Sequence, residues 1–121
     1  MDSIEGRKNP LKLSEKVGHQ FEKPELLAEA LRHASYVNEL GDGNLKDNER
    51  LEFLGDAVLD LAVSHILMDV FQDAKEGPLS KWRASVVNEK VLSDLARDLE
   101  LGNYLCLGRG EELSGGGRNL S

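Results

Sequence analysis

Four carboxylates recur at helical spacing near the middle of the chain: Glu49, Glu52, Asp56 and Asp60. They begin in the stretch NERLEFLGD (residues 48–56), which runs on to Phe71 without a proline and with Gly55 as its only glycine. That pattern predicts a helix of several turns. At about 100° per residue the four acids fall within an arc of roughly 80°. The other positions are mostly apolar: Leu51, Phe53, Leu54, Ala57, Val58, Leu59, Leu61, Ala62 and Val63. A helix that is apolar nearly all round belongs in an interior. The sequence therefore predicts a buried helix carrying a narrow acidic stripe.

Magnitudes say what such a stripe requires. Carboxylates three or four positions apart have Cβ atoms about 5–6 Å apart, and in open solvent they repel by some tenths of a kcal/mol. Partly desolvated, at an effective dielectric near 20, the same pair costs about 3 kcal/mol. Arg50 is the only Lys or Arg between Asp47 and Asp60, and it lies to one side of the stripe. Shared protons or a divalent cation would relieve the crowding. An ordinary solvated helix face is the plainer alternative. Oxygen-only donors favour a hard ion such as Mg²⁺ over zinc.

The elements that must position this stripe are helical. Across 121 residues the chain is 40% hydrophobic but only 5% aromatic, which suits a one-domain all-α fold better than a sandwich or barrel. Its net charge of −7 argues against a general nucleic-acid binder, leaving room for a local site bridged by cations. Cys106 is the single cysteine, so no internal disulfide forms and a reducing, cytoplasmic setting fits. It reads as a packed thiol. The first residues carry no signal-peptide pattern, and no run has the length of a membrane span.

Along the chain, residues 1–9 read as frayed. Leu11, Leu13 and Val17 before Gly18 predict a short helix with a glycine stop. Phe21 and Pro24 announce a second helix through Leu31, with Phe21 packing back on it and His33 and Ser35 at its end. Glu39–Lys46 reads as a polar loop, after which Asp47 caps the central helix, expected to reach about Gln72. Ala74–Pro78 breaks the pattern. Two further helices follow, one carrying Leu79, Trp82, Val86 and Val87, the other capped by Asn88 and closed by Gly102, with Trp82 and the leucine stripe as core. His19 and His65 have no partners at metal-ligand spacing. From Gly108 the glycine-rich segment reads as a loop, where Arg109 and Arg118 offer weak contacts to a nucleic-acid backbone. It lacks the strand that feeds a phosphate-binding turn.

NERLEFLGD with Ala57-Val58-Leu59 resembles the signature helix of the ribonuclease III family, the double-stranded-RNA endonucleases. The likeness, closest to the bacterial type, extends over nearly the whole chain. It takes in Arg32-His33-Ala34-Ser35, Glu76-Gly77, Leu79-Ser80, Arg83-Ala84, and Leu107-Gly108 through Ser114-Gly115-Gly116. The resemblance implies the all-helical endonuclease-domain fold over residues 1–121. It also implies a homodimer with a valley along its interface, and Mg²⁺ (Mn²⁺ as a substitute) activating water against a phosphodiester. Carried over by motif position, Glu52 and Asp56 are metal ligands and Asp56 is the residue most tied to catalysis. Glu49 and Glu76 line the valley, contacting RNA or organising the site across the dimer, and Phe53 reaches into the partner subunit. Asp60 lies outside the motif.

The chain departs from the family in one respect. The second acidic motif on a later helix, which completes the metal cage, is absent, as is the double-stranded-RNA-binding domain. The expectation is thus an endonuclease domain truncated before its last helices, weak in Mg²⁺ binding and poor in cutting by itself. Its parent would process ribosomal or messenger RNA precursors. The alternative is a helical module that dimerises or binds RNA without cutting.

Overall fold

The computed structural model describes residues 9–113. Among these, the chain is helical: α1 (Pro10–Val17), α2 (Pro24–Ala30), α3 (Ala34–Leu40), α4 (Glu49–Val70), α5 (Glu76–Val86), α6 (Glu89–Asp98), a single 3₁₀ turn (Leu101–Asn103) and α7 (Arg109–Leu113). The only strand-like feature among them is an isolated parallel bridge between Arg32 and Cys106.

Several helix ends follow the sequence directly. Asn9 caps α1 through its side chain, and Gly18 ends the helix with φ 72°, a left-handed conformation that glycine adopts without Cβ strain. Pro24 occupies the first turn of α2. Asn88 Oδ1 accepts the Val91 N–H at 3.0 Å and starts α6.

Other boundaries differ from the sequence reading. Residues 34–40 form α3, with His33 as its N-cap accepting the Ser35 N–H, so the polar loop begins at Gly41. Helix α4 ends at Val70. Glu76, Gly77 and Pro78 belong to the first turn of α5, where proline's missing N–H costs nothing. Helix α6 stops before Gly102 because Glu100 takes φ 57°. Lys16 holds that residue by donating to Glu100 Oε1 at 2.7 Å and to Leu99 O at 3.1 Å. Arg109–Leu113 is helical, not loop.

The core lies where α1, α2 and the segment after α6 meet. Leu13, Leu27, Leu31 and Tyr104 form its buried cluster, with Phe21, Leu101 and Leu105 packed against it; Ala96 and Leu107 are also buried. The prediction that α4 is buried is overturned, since none of its residues is. Phe53 is 81% exposed and Leu61 71%. The reason is a shortage of neighbours: the helix is apolar on most sides, yet α5 covers only one. Trp82 and Leu95 are likewise partly open; Trp82 rests against Phe71, ring centroids 4.6 Å apart.

Candidate active site

The start of α4 is pinned by the junction between α2 and α3. Asn48 donates its backbone N–H to Arg32 O and its side-chain amide to Ala30 O, each at 2.9 Å. Arg32 Nε donates to Lys46 O at 2.8 Å. Asp47 Oδ1 accepts the Glu49 N–H at 3.0 Å from one residue ahead of the cap position, which Asn48 and not Asp47 occupies. These bonds fix the position from which the acidic stripe rises.

Glu49, Glu52, Asp56 and Asp60 all lie on α4 and all face solvent. The stripe thus exists, but not in the desolvated setting the sequence implied. Exposed repulsion costs tenths of a kcal/mol per pair, and Glu49 and Glu52 sit in the first turn, where the helix dipole favours negative charge. Among the described residues, neither Glu52 nor Asp56 has a Lys, Arg or His partner. Nor do three or more His, Cys, Asp or Glu side chains converge as a cage for an ion.

Helix α5 supplies the other predicted acid. Ser80 Oγ donates to Glu76 Oε2 at 3.0 Å, one turn along the helix. Glu76, Ser80 and Arg83 are four and three positions apart and share one face of α5. From that face Arg83 Nη1 donates to Ser64 Oγ on α4 at 2.8 Å, and the Ser64 hydroxyl donates onward to Asp60 O at 2.7 Å. The sequence reading gave Ser64 no role and took Arg83 only as part of the family likeness; their polarity amid apolar neighbours was the available signal. Helix α5 therefore covers, on the C-terminal half of α4, the edge that the acids occupy on its N-terminal half. Among the described residues no hydrogen bond or ion pair joins Glu76 to Glu52 or Asp56.

A second set of contacts ties the far end of the described chain to α3. Cys106 is half-buried; its N–H donates to Leu31 O at 2.8 Å, while His33 N–H donates to Cys106 O at 3.0 Å. Gly108 N–H donates to Ser35 Oγ at 2.8 Å, and Arg109 N–H to Glu39 Oε2 at 2.5 Å. His33 Nδ1 lies 2.8 Å from Ser35 Oγ. With its backbone so engaged, Arg109 projects an exposed side chain. Arg118 lies outside the described residues.

A family model described as Ribonuclease-III-like matches residues 23–121. This chain belongs to the ribonuclease III family. It is 54% identical over 112 residues to ribonuclease 3 of Bdellovibrio bacteriovorus, covering 93% of the chain and 46% of that relative. It is 50% identical over 120 residues to ribonuclease 3 of Syntrophobacter fumaroxidans, covering 99% and 47%. The solved nuclease domain of ribonuclease III from Campylobacter jejuni superposes with a TM-score of 0.80 at 42% identity, over 91% of this chain and 73% of that one. That work describes flexibility in a region involved in dimer formation. The chain spans about half the length of the curated relatives it matches. The all-helical nuclease-domain fold is borne out. Among the described residues no helix is long and apolar enough to cross a membrane.

The donor set at the start of α4 suits a hard cation. Mg²⁺ is bound through one or two carboxylates plus substrate phosphates and keeps several of its waters. Glu52 and Asp56, one turn apart, open to solvent and uncommitted to any cation of their own, meet that description.

Proposed function

We propose that this chain is the catalytic part of an endoribonuclease that cleaves double-stranded RNA by Mg²⁺-dependent hydrolysis of a phosphodiester, as a cytoplasmic homodimer processing ribosomal or messenger precursors. One observation carries the reading: two uncommitted carboxylates, Glu52 and Asp56, stand one turn apart on the pinned end of α4 in a member of the ribonuclease III family.

In this reading Glu52 and Asp56 present oxygen ligands to Mg²⁺, with Mn²⁺ as a substitute. When bound, the ion supplies a water of lowered pKa and offsets charge growing on the phosphate oxygens. Glu49, one turn nearer the helix start, lines the valley and contacts RNA or organises the site across the dimer. Glu76, bonded to Ser80, lines the same valley and acts there on RNA or across the dimer. Phe53 inserts into the partner subunit. Arg109 and Arg118 touch the RNA backbone weakly. Double-stranded RNA is recognised by shape, 2′-hydroxyls and phosphates, so little base-reading machinery is expected here.

The test is cleavage of a duplex RNA in Mg²⁺ by the full-length protein and its Asp56→Asn variant. A metal-assisted step contributes several kcal/mol, and each 1.36 kcal/mol is a factor of about ten in rate. Loss of at least about 10²-fold in kcat is expected, with an unchanged circular-dichroism spectrum because Asp56 is exposed. Equal cutting by the variant, or cutting that persists without a divalent ion, overturns the proposal. Duplex binding without any cutting by wild type would favour the non-catalytic module.

A further inference from the structure

Arg83 is a half-buried cation without a carboxylate partner among the described residues. A guanidinium has five N–H donors, and Arg83 gives one of them to the neutral Ser64 hydroxyl. The omission is informative because an acid is close by. Asp60 lies one turn before Ser64, on the same edge of α4, and its backbone carbonyl takes the Ser64 proton. Arg83 nevertheless bonds the hydroxyl between them, and the Asp60 carboxylate stays exposed and outside ion-pair distance. Ser64 thus braces the guanidinium while leaving its charge unneutralised.

Its location gives that charge a use. Successive steps of four residues drift about 40° round a helix, so Asp56, Asp60 and Ser64 trace one slowly turning edge. Eight residues at 1.5 Å place Ser64 about 12 Å beyond Asp56. The Arg83 head group therefore stands in line with the proposed cutting site, a few nucleotides away along a strand of a bound duplex. A chain of net charge −7 needs a local cation there to accept a polyanion. Guanidinium is the side chain whose fork matches phosphate oxygens.

The geometry points to Arg83 as an RNA-backbone binding residue: braced by Ser64, it takes a phosphate of the duplex a few nucleotides from the one that is cut. The assignment rests on the function proposed above. Its sign is sequence-independent binding, since a phosphate contact carries no base information.

The experiment measures duplex-RNA affinity of the full-length protein at several KCl concentrations and fixed Mg²⁺. An Asp56→Asn background keeps the RNA intact, and Arg83→Ala and Arg83→Lys are compared in it. Losing one phosphate contact should make the slope of log K against log salt shallower by about one, and weaken binding several-fold for every duplex sequence alike. Arg83→Lys should keep the slope, because a point charge still displaces a counter-ion. An unchanged slope in Arg83→Ala refutes the assignment, and a large fall in melting temperature beside it marks Arg83 as the partner of a protein carboxylate instead. If wild type neither binds nor cuts duplex RNA, the functional reading falls and this one with it. Binding by wild type with an unaltered slope sinks the Arg83 assignment alone.

Discussion

Gly108 is the position where one methyl group should do most damage. A Cβ built there would lie 2.7 Å from Ser35 O, 2.9 Å from Ser35 C and 3.0 Å from Glu39 Oε2. Glu39 can swing aside. The Ser35 carbonyl cannot, because it belongs to the first turn of α3, already held by the His33 cap. Relief requires moving residues 106–109 away from α3, which lengthens the Gly108 N–H bond to Ser35 Oγ and the Arg109 N–H bond to Glu39. Overpacking of this kind costs about 1–3 kcal/mol, and each hydrogen bond lost about 0.5–1.5 kcal/mol. The two effects share a cause, so about 2–4 kcal/mol is expected for Gly108→Ala. For a domain of this size that is a fall of about 10 °C in melting temperature. Gly110→Ala is the matched control: it adds the same methyl two residues on, with nothing within 4 Å of the new Cβ. In a helix that change should be neutral or slightly stabilising. Thermal unfolding followed by circular dichroism reads both. If Gly108→Ala melts within about 2 °C of wild type, below the smallest shift this cost allows, the close approach of α3 and the Gly108 segment is wrong as described.

Two further outcomes are expected. Phe53→Ala should leave the unfolding free energy of the chain, measured at a dilution where it is monomeric, within about 0.5 kcal/mol, because the ring is 81% exposed. Its self-association in sedimentation equilibrium should weaken by tenfold or more, as for a buried aromatic anchor; unchanged association refutes its interface role. The second concerns pH. The hydrogen bond to Glu100 holds the Lys16 ammonium above its ordinary value of 10.5, so its stabilisation is full below that value and is lost as pH rises through the raised one. Asp94 is held below its ordinary 3.8 by the hydrogen bond from Lys90, by that residue's charge, and by Arg97; its contribution is full above 3.8 and is lost as pH falls. Stability differences between wild type and Lys16→Met or Asp94→Asn should therefore vanish at opposite ends of a pH series, and both should shrink with salt. A Lys16 difference that does not begin to shrink as pH rises past its ordinary value of 10.5 would contradict the pairing.

The parts of the fold that were legible are those written in local chemistry. Gly18, Pro24 and Asn88 mark helix ends through bonds made within a few residues, so the sequence names them. The central helix and the order of its carboxylates follow from spacing alone. What stayed hidden depends on distant partners. Helix α3 has seven residues and little apolar periodicity, and it is secured by Gly108 and Arg109, 73 and 70 positions away from their acceptors. The true end of α6 lies just before Glu100, which takes a left-handed conformation and is met there by Lys16 from 84 positions away. Glycine at 102 is the local stop signal, and the helix ends before it, at the point where a long-range contact forms.

The exposure of α4 escapes the sequence for a related reason: an apolar surface says that something covers it, not what. Seven large side chains on the helix, from Phe53 to Val70, are each more than half exposed. Full burial of such a side chain stabilises by about 1.5–3 kcal/mol, so covering what remains open is worth on the order of 10 kcal/mol. That is as large as the whole stability of an ordinary domain. Surface of this extent marks an association site. Phe53 bears most directly on function, because it lies next to Glu52 in sequence and only about 20° round the helix from Asp60. Whatever covers Phe53 comes to rest against the border of the acidic stripe, so the carboxylates would be left in a cleft and not on an open rod. Their desolvation would then come from association, not from the interior of the chain, and the repulsion that is slight in one protomer would rise toward the few kcal/mol that a bound cation relieves.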